Sequence, residues 1–197
     1  FGGNRMNEKF YLGTYTKRVS KGVYSVTLNK GTEQLESLTL EAAIDNPTYL
    51  SYSKSDQLLF AVGKGEEHCG ISASNALTSP VEPLASYDDQ KAVPCYIRYN
   101  EKTGDVLTAN YHGGFVELYH YDKEDGAFTF VDKKVHSGSS VHANQTSPHV
   151  HYTDYTPDEK WIVVCDLGID TVFTYRRTET GLEEVAQYKT KAGSGPR

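Results

Sequence analysis

Two histidines separated by one residue are the side chains best suited to do chemistry in this sequence. They lie in Ser147-Pro148-His149-Val150-His151, directly ahead of a run of β-forming residues. In an extended strand, side chains two positions apart point to the same face, with Cα atoms about 6.5–7 Å apart. The pair is therefore predicted to project into one space. Imidazole titrates near neutral pH, so such a pair can activate a water molecule or protonate a departing alkoxide.

Two other interpretations of these histidines stay open from the residues alone. Both can be channel-lining side chains that hydrogen-bond only backbone and water. They can also belong to a zinc site, which would need a further ligand such as His112. Nothing in the spacing requires that ligand, and we therefore predict neither a metal nor any other cofactor.

The elements that must position the histidines form a repeat led by proline. Units open near residues 46, 93, 147 and 195, and each has a proline close to its start: Pro47, Pro94, Pro148 and Pro196. The three full units read "NPTYLSYSKSDQLLFAVG", "VPCYIRYNEKTGDVLTANYHGG" and "SPHVHYTDYTPDEKWIVVCDLG". Each gives a short strand, a turn rich in turn-forming residues, and a second apolar strand that ends in glycine.

Further strands follow the repeat units, and together they predict an all-β fold. "GVYSVTL", "FVELYHY" and "TVFTYRR" alternate between the two faces of a strand, and "LESLTLEAA" is the segment that comes closest to an amphipathic helix. A repeat of about 50 residues with four short strands is typical of a β-propeller blade. A chain of 197 residues has room for about four such blades. The alternative, a β-sandwich, does not explain the regular prolines.

Composition limits the classes of partner and compartment. Lys and Arg number 20 against 26 Asp and Glu, which gives a net charge of −6 and argues against nucleic acid as a ligand. No apolar run is long enough for a membrane helix, so no membrane partner is expected. The three cysteines are far apart and are interpreted as reduced thiols of a cytoplasmic protein. Residues 1–5 are interpreted as a short leader, and residues 6–197 as part of a single domain.

Five motifs in order resemble the lactonase family of seven-bladed β-propellers. They are "YLGTYT", "NPTYL", "NYHGG", "SPHVHYTDYTPDEKWIVVCDLGID" and "GSGPR", and the similarity runs from about Phe10 to Arg197. The resemblance implies a ring of about twice this length, of which the chain would carry roughly the first four blades. The other blades, with the family's active-site glutamate, would follow Arg197 as further partners of these residues.

The resemblance also implies an activity, the hydrolysis of a sugar lactone. The specific expectation is 6-phosphogluconolactone, a phosphorylated small molecule of the pentose phosphate pathway. His149 and His151 are the candidate catalytic residues, and the family pattern does not decide between them. Arg197 is the candidate for binding the substrate phosphate, because guanidinium forms paired hydrogen bonds with such anions. The alternative for Arg197 is a salt bridge between blades.

Other polar residues at strand ends are weaker candidates for substrate contact. Asn110 and His112 lie in "NYHGG", and Tyr15 lies in "GTYT". Asn110 and His112 have an alternative role in stabilising their turn. Asp170 in "DLGID" is expected to cap its own turn by accepting backbone amides.

Two other functions stay open beside lactone hydrolysis. One is an intramolecular lyase, of the muconate-lactonizing type, that opens or closes a lactone by addition across a double bond. The other is a propeller without catalytic activity that binds a protein or sugar, since a fold does not fix a function. A serine hydrolase is not expected, because no GxSxG elbow is present.

Overall fold

Strands supply all the regular secondary structure of the described residues, which confirms the all-β prediction. The computed structural model describes residues 7–66, 68–88 and 92–197. The interpretation of residues 1–5 as a leader lies outside them. In chain order the strands are β1 (Asn7–Leu12), β2 (Gly22–Asn29), β3 (Gln34–Ala43), β4 (Leu50–Ser53), β5 (Leu58–Lys64), β6 (Cys69–Asn75), β7 (Glu82–Asp88), β8 (Tyr96–Tyr99), β9 (Asp105–Asn110), β10 (Phe115–Asp122), β11 (Ala127–Val135), β12 (Val150–Tyr155), β13 (Ile162–Asp166), β14 (Thr171–Arg177) and β15 (Leu182–Lys189).

The strands form four antiparallel sheets, each built from strands that follow one another in the chain. The first sheet is β1–β2–β3, and the second, third and fourth are β4–β7, β8–β11 and β12–β15. The opening strands β4, β8 and β12 contact their counterparts in the neighbouring sheets. The segment "LESLTLEAA" belongs to β3 and pairs with β2, so its comparison with a helix is wrong. No helix in the described part of the chain is long and apolar enough to cross a membrane.

The apolar core lies between consecutive sheets. In β5, Phe60 and Val62 pack with residues of the third sheet, whereas Leu59 and Ala61 pack with Val23 of the first sheet. Successive side chains of a strand point to opposite faces. A strand covered on both faces must therefore be apolar at every position, which explains the unbroken run "LLFAV".

The third and fourth sheets repeat this arrangement. Leu107 and Ala109 of β9 pack with Val164 of β13 and Phe173 of β14 in a shared cluster. Consecutive sheets thus pack face to face, as the blades of a propeller do, and a two-layered sandwich is excluded. The prediction of a propeller is confirmed.

Polar contacts tie neighbouring sheets together at the ends of the opening strands far from the histidines. The Arg98 guanidinium donates to the Asp154 carboxylate at 3.0 Å, and the Tyr99 amide donates to the Ser51 hydroxyl at 3.0 Å. These contacts fix the height of one sheet against the next, and so fix where the opposite ends of the same strands lie.

Candidate functional site

The two candidate histidines stand at the start of β12, where the strand contains an irregularity. Val150 pairs with Asp166 and Tyr152 pairs with Cys165, so His151 is an extra residue in the register. Such a bulge redirects side chains locally. Both histidine rings nevertheless contact one side chain, that of Tyr111, which lies in the turn between β9 and β10 of the third sheet.

The Tyr111 ring contacts both histidines. Its centroid lies 4.2 Å from that of His149 in a stacked arrangement, and 6.3 Å from that of His151 in an edge-on one. His112 also meets the Tyr111 ring edge-on, at 5.3 Å. The structure therefore gathers three histidines around one tyrosine that the sequence argument did not select.

A single hydrogen bond fixes the tautomer of His149. Its Nδ1 lies 2.8 Å from the backbone carbonyl oxygen of Tyr111. A carbonyl oxygen only accepts, so Nδ1 carries the proton and donates it. In the neutral imidazole, Nε2 is then the nitrogen with a free lone pair, which is the form a general base needs.

Arg197 acts on His151 through its charge. Burial, and then the nearby positive charge of Arg197, lower the pKa of His151 below its ordinary value of 6.5. His151 is half-buried, and both effects favour its neutral form. Within the described residues, no carboxylate lies within ion-pairing distance of Arg197, so the alternative of a salt bridge between sheets is not supported.

Asp166 at the end of β13 holds the backbone of His149. This fully buried carboxylate accepts the amide of His149 at 2.8 Å and that of Gly168 at 3.0 Å. Its other oxygen accepts Nδ1–H of His136 at 2.8 Å, and Nε2 of His136 lies 2.8 Å from the Tyr175 hydroxyl. A buried chain of polar groups thus runs from the candidate site into the space between the third and fourth sheets.

Asp170 differs from the prediction that it caps its own turn. The cap is supplied by Asp166, which accepts the Gly168 amide. The Asp170 carboxylate instead collects donors from elsewhere in the chain: Ser140, Gln145, Gly193 and Gly195. Burial by itself would raise the pKa of Asp170, but these hydrogen bonds outweigh it and lower the pKa to about 2.

The remaining sequence candidates do not all join the cluster. Asn110 is fully buried, and its side chain donates to the Ala92 carbonyl at 3.1 Å and accepts the Gly113 amide at 2.8 Å. This geometry favours its turn-stabilising alternative. Tyr15 is 68% exposed, with the Lys17 ammonium 5.6 Å from its ring, and no ring contact joins it to either histidine in the described chain.

Metal binding has no support among the residues that the structure describes. Within them, no group of three or more His, Cys, Asp or Glu side chains is arranged to hold a metal ion. The stacking of Tyr111 on His149, and the engagement of Nδ1 by a carbonyl, suit hydrogen-bonding chemistry.

Four consecutive sheets that pack face to face define a β-propeller, and a cluster of histidines lies at the start of its fourth sheet. The chain belongs to the lactonase family: the family model described as "Lactonase, 7-bladed beta-propeller" matches residues 9–197. The predicted resemblance is confirmed by this match.

Relatives and solved structures agree with this assignment. A 6-phosphogluconolactonase of Bacillus subtilis is 33% identical over 193 residues, which cover 95% of this chain and 54% of that protein. A crystal structure from Lactobacillus plantarum, 36% identical, matches with a TM-score of 0.90 over 98% of this chain and 56% of its own. A periplasmic gluconolactonase of Pseudomonas aeruginosa, 26% identical, matches with a TM-score of 0.83 over 97% and 57%. The chain spans about half the length of the curated relatives it matches.

Proposed function

We propose that the full-length gene product containing this chain is a lactone hydrolase, and that its substrate is 6-phosphogluconolactone. The observation that carries the proposal is the grouping of His149 and His151 around Tyr111, with the charge of Arg197 beside His151. The name of the Bacillus subtilis relative supports the choice of a phosphorylated lactone.

The proposed reaction begins with a water molecule next to Nε2 of His149. Nε2 takes a proton from the water while the oxygen attacks the lactone carbonyl carbon and forms a tetrahedral oxyanion. The bond between that carbon and the ring oxygen then breaks. The ring oxygen leaves as an alkoxide and takes the proton from the imidazolium, so the product is the open-chain acid and His149 is neutral again.

His151 and Arg197 have complementary roles in this proposal. His151 is neutral at pH 7 because of its lowered pKa, so it offers one N–H donor to the lactone without adding a charge. Arg197 is exposed and is the proposed partner of the substrate phosphate. A phosphate held there would place the lactone ring between the two sheets that carry the histidine cluster.

The test is a coupled assay of freshly formed 6-phosphogluconolactone with the full-length protein, corrected for spontaneous hydrolysis. We expect His149→Ala to lower kcat about 10² to 10⁴-fold, because it removes the general base. His151→Ala should also lower kcat, but by less. His142→Ala is the matched control, because His142 is an exposed histidine of the neighbouring loop. Full turnover in both His149→Ala and His151→Ala would remove the pair from the mechanism.

The same assay separates the competing functions. Turnover of a muconate lactone without turnover of sugar lactones would identify the lyase class, and binding without turnover of either would identify a non-catalytic propeller. A cytoplasmic location stays part of the proposal. It is supported by three cysteines that are all unpaired, as thiols of a reducing compartment are.

A further inference from the structure

Asp170 occupies a backbone position at which the preceding sheet has glycine. Asn110 pairs with Phe115 across the β9–β10 turn, and Asp166 pairs with Thr171 across the β13–β14 turn, so the two turns have equal length. Gly114 and Asp170 then correspond, with φ of 67° and 52°. Glycine adopts this left-handed conformation without cost, whereas most residues with a side chain are strained there and aspartate and asparagine tolerate it better than the others. The fourth sheet thus places a carboxylate where the backbone itself would favour glycine.

The carboxylate of Asp170 connects two distant segments to this turn. It is fully buried and accepts the side chains of Ser140 and Gln145, which belong to the long connection between β11 and β12. It also accepts the backbone amides of Gly193 and Gly195, at 2.7 and 2.8 Å. Hydrogen bonds to an ionised carboxylate are about twice as strong as those between neutral groups.

Arg197 follows the last of these amides by two residues. The segment that carries it is exposed from Lys191 to Ser194 and has little packing of its own. Its other ties to the turn are the hydrogen bonds of the Thr190 amide and hydroxyl to the Asp170 carbonyl. The Thr190 hydroxyl also lies 2.6 Å from the Ser194 hydroxyl. Ser194 is one residue further from Arg197 than Gly195, so the Gly195 amide on Asp170 is the anchor closest to Arg197.

We propose that Asp170 is a positioning residue that holds the 193–195 backbone and thereby keeps Arg197 beside His151. The consequence for substrate binding rests on the proposed function, but the positioning of Arg197 does not. Asp166 and Asp170, four residues apart, then serve the two halves of the site. Asp166 fixes the backbone of His149, and Asp170 fixes the segment that ends in Arg197.

The test uses Asp170→Gly in the full-length protein. Glycine suits the left-handed backbone, as Gly114 does in the third sheet, so the variant removes the carboxylate and keeps the turn. Glu159→Gly is the matched control. Glu159 is also an acidic residue of the fourth sheet with a positive φ, 60°. It lies in the turn between β12 and β13, away from Arg197. If Asp170→Gly does not fold, Asp170→Asn replaces it, because asparagine tolerates this conformation. Its single amide oxygen can accept only one of the two glycine amides, so the same changes are expected at a smaller size.

The first readout is the pKa of His151, which is measured by NMR titration of its ring. Arg197 supplies the charge that acts on the His151 ring. Two other neighbours of His151 are uncharged: the Tyr111 ring contacts it edge-on, and the Cys95 thiol lies beside the His151 carbonyl. Burial raises the pKa of that thiol to about 11, so it is neutral. Because a positive charge lowers a histidine pKa, Asp170→Gly should raise it, in the same direction as Arg197→Ala. The double variant should equal Arg197→Ala, and Glu159→Gly should change nothing. An unchanged His151 pKa in Asp170→Gly, or in Arg197→Ala, would overturn the proposal.

The second readout connects the positioning to catalysis. Asp170→Gly should raise KM for 6-phosphogluconolactone about tenfold. Both kcat and the KM for the unphosphorylated lactone should stay near the wild-type values. An equal loss on both lactones would indicate general damage and would contradict a positioning role. If the wild-type protein hydrolyses no lactone, the proposed function fails, while the titration still decides whether Asp170 holds Arg197.

Discussion

At the scale of single residues, the candidate site depends on two groups that only accept hydrogen bonds. The Tyr111 carbonyl selects the tautomer of His149, and the Asp166 carboxylate holds the His149 backbone. Neither group touches a substrate in the proposed reaction. They determine which nitrogen faces the reacting water and how firmly it is held, which is what an efficient general base requires.

Asp166 allows a prediction that separates charge from hydrogen bonding. Asp166→Asn should cost less than about 1 kcal/mol of unfolding free energy. The amide oxygen can still accept the His149 and Gly168 amides, and its NH₂ can donate to His136 if that ring changes tautomer. Asp166→Ala should cost more than about 2 kcal/mol, because it leaves buried donors without acceptors. Urea unfolding of both variants measures this, and equal losses would contradict the assignment of tautomers.

At the scale of elements, the start of β12 is positioned by a close approach of two backbone segments. The Leu167 amide donates to the His149 carbonyl at 3.0 Å, and Gly168 passes directly beneath Ser147. A Cβ atom on Gly168 would lie 2.0 Å from the Ser147 carbonyl oxygen and 2.7 Å from the His149 nitrogen. Only glycine therefore permits the approach that gives His149 its hydrogen bonds.

Gly168→Ala should displace the backbone of His149. We expect a loss of about 1–3 kcal/mol in unfolding free energy, as for other overpacked sites, together with a fall in kcat. Gly31→Ala is the control, because Gly31 lies in an exposed turn of the first sheet. A stable Gly168→Ala variant with wild-type kcat would show that the entry to β12 adjusts without moving His149.

The strands and their arrangement could be predicted from the sequence because burial on two faces leaves a clear pattern. The run "LLFAV" and the prolines ahead of each opening strand signal the propeller directly. The residues of the candidate site could be selected from the sequence only in part. His149, His151 and Arg197 carried a family motif, whereas Tyr111 and His136 act through contacts between sheets that no local pattern records.

Because the register of β12 is irregular, the position of the proline does not by itself give the correct alignment between the third and fourth sheets. Tyr96 in β8 and Tyr152 in β12 occupy equivalent positions, because each lies three residues before the last paired residue of its strand. Tyr96 nevertheless follows Pro94 by two residues, whereas Tyr152 follows Pro148 by four. The bulge at His151 accounts for one of these two additional residues, and the other lies between Pro148 and Val150. Counting from the proline therefore aligns Cys95 with His149, whereas the strand register aligns Cys95 with His151.

At the scale of the whole molecule, the candidate site consists of residues that are distant in the chain and meet where sheets adjoin. Tyr111 comes from the third sheet, His149 and His151 open the fourth, and Arg197 follows the fourth. The apolar clusters between sheets hold these parts in place, and the acidic total of the chain does not prevent a local cation from serving an anionic substrate. In the proposed function, this arrangement separates binding of the phosphate from activation of the water.

The most direct test of this account compares two lactones, with and without the phosphate, in the full-length protein and in Arg197→Ala. We expect the wild-type protein to prefer the phosphorylated lactone. Arg197→Ala should lose that preference through a KM about tenfold higher for the phosphorylated substrate alone, with kcat little changed. Equal KM changes for both lactones, or a preference that survives the substitution, would contradict the claim that Arg197 and the histidine pair form one site.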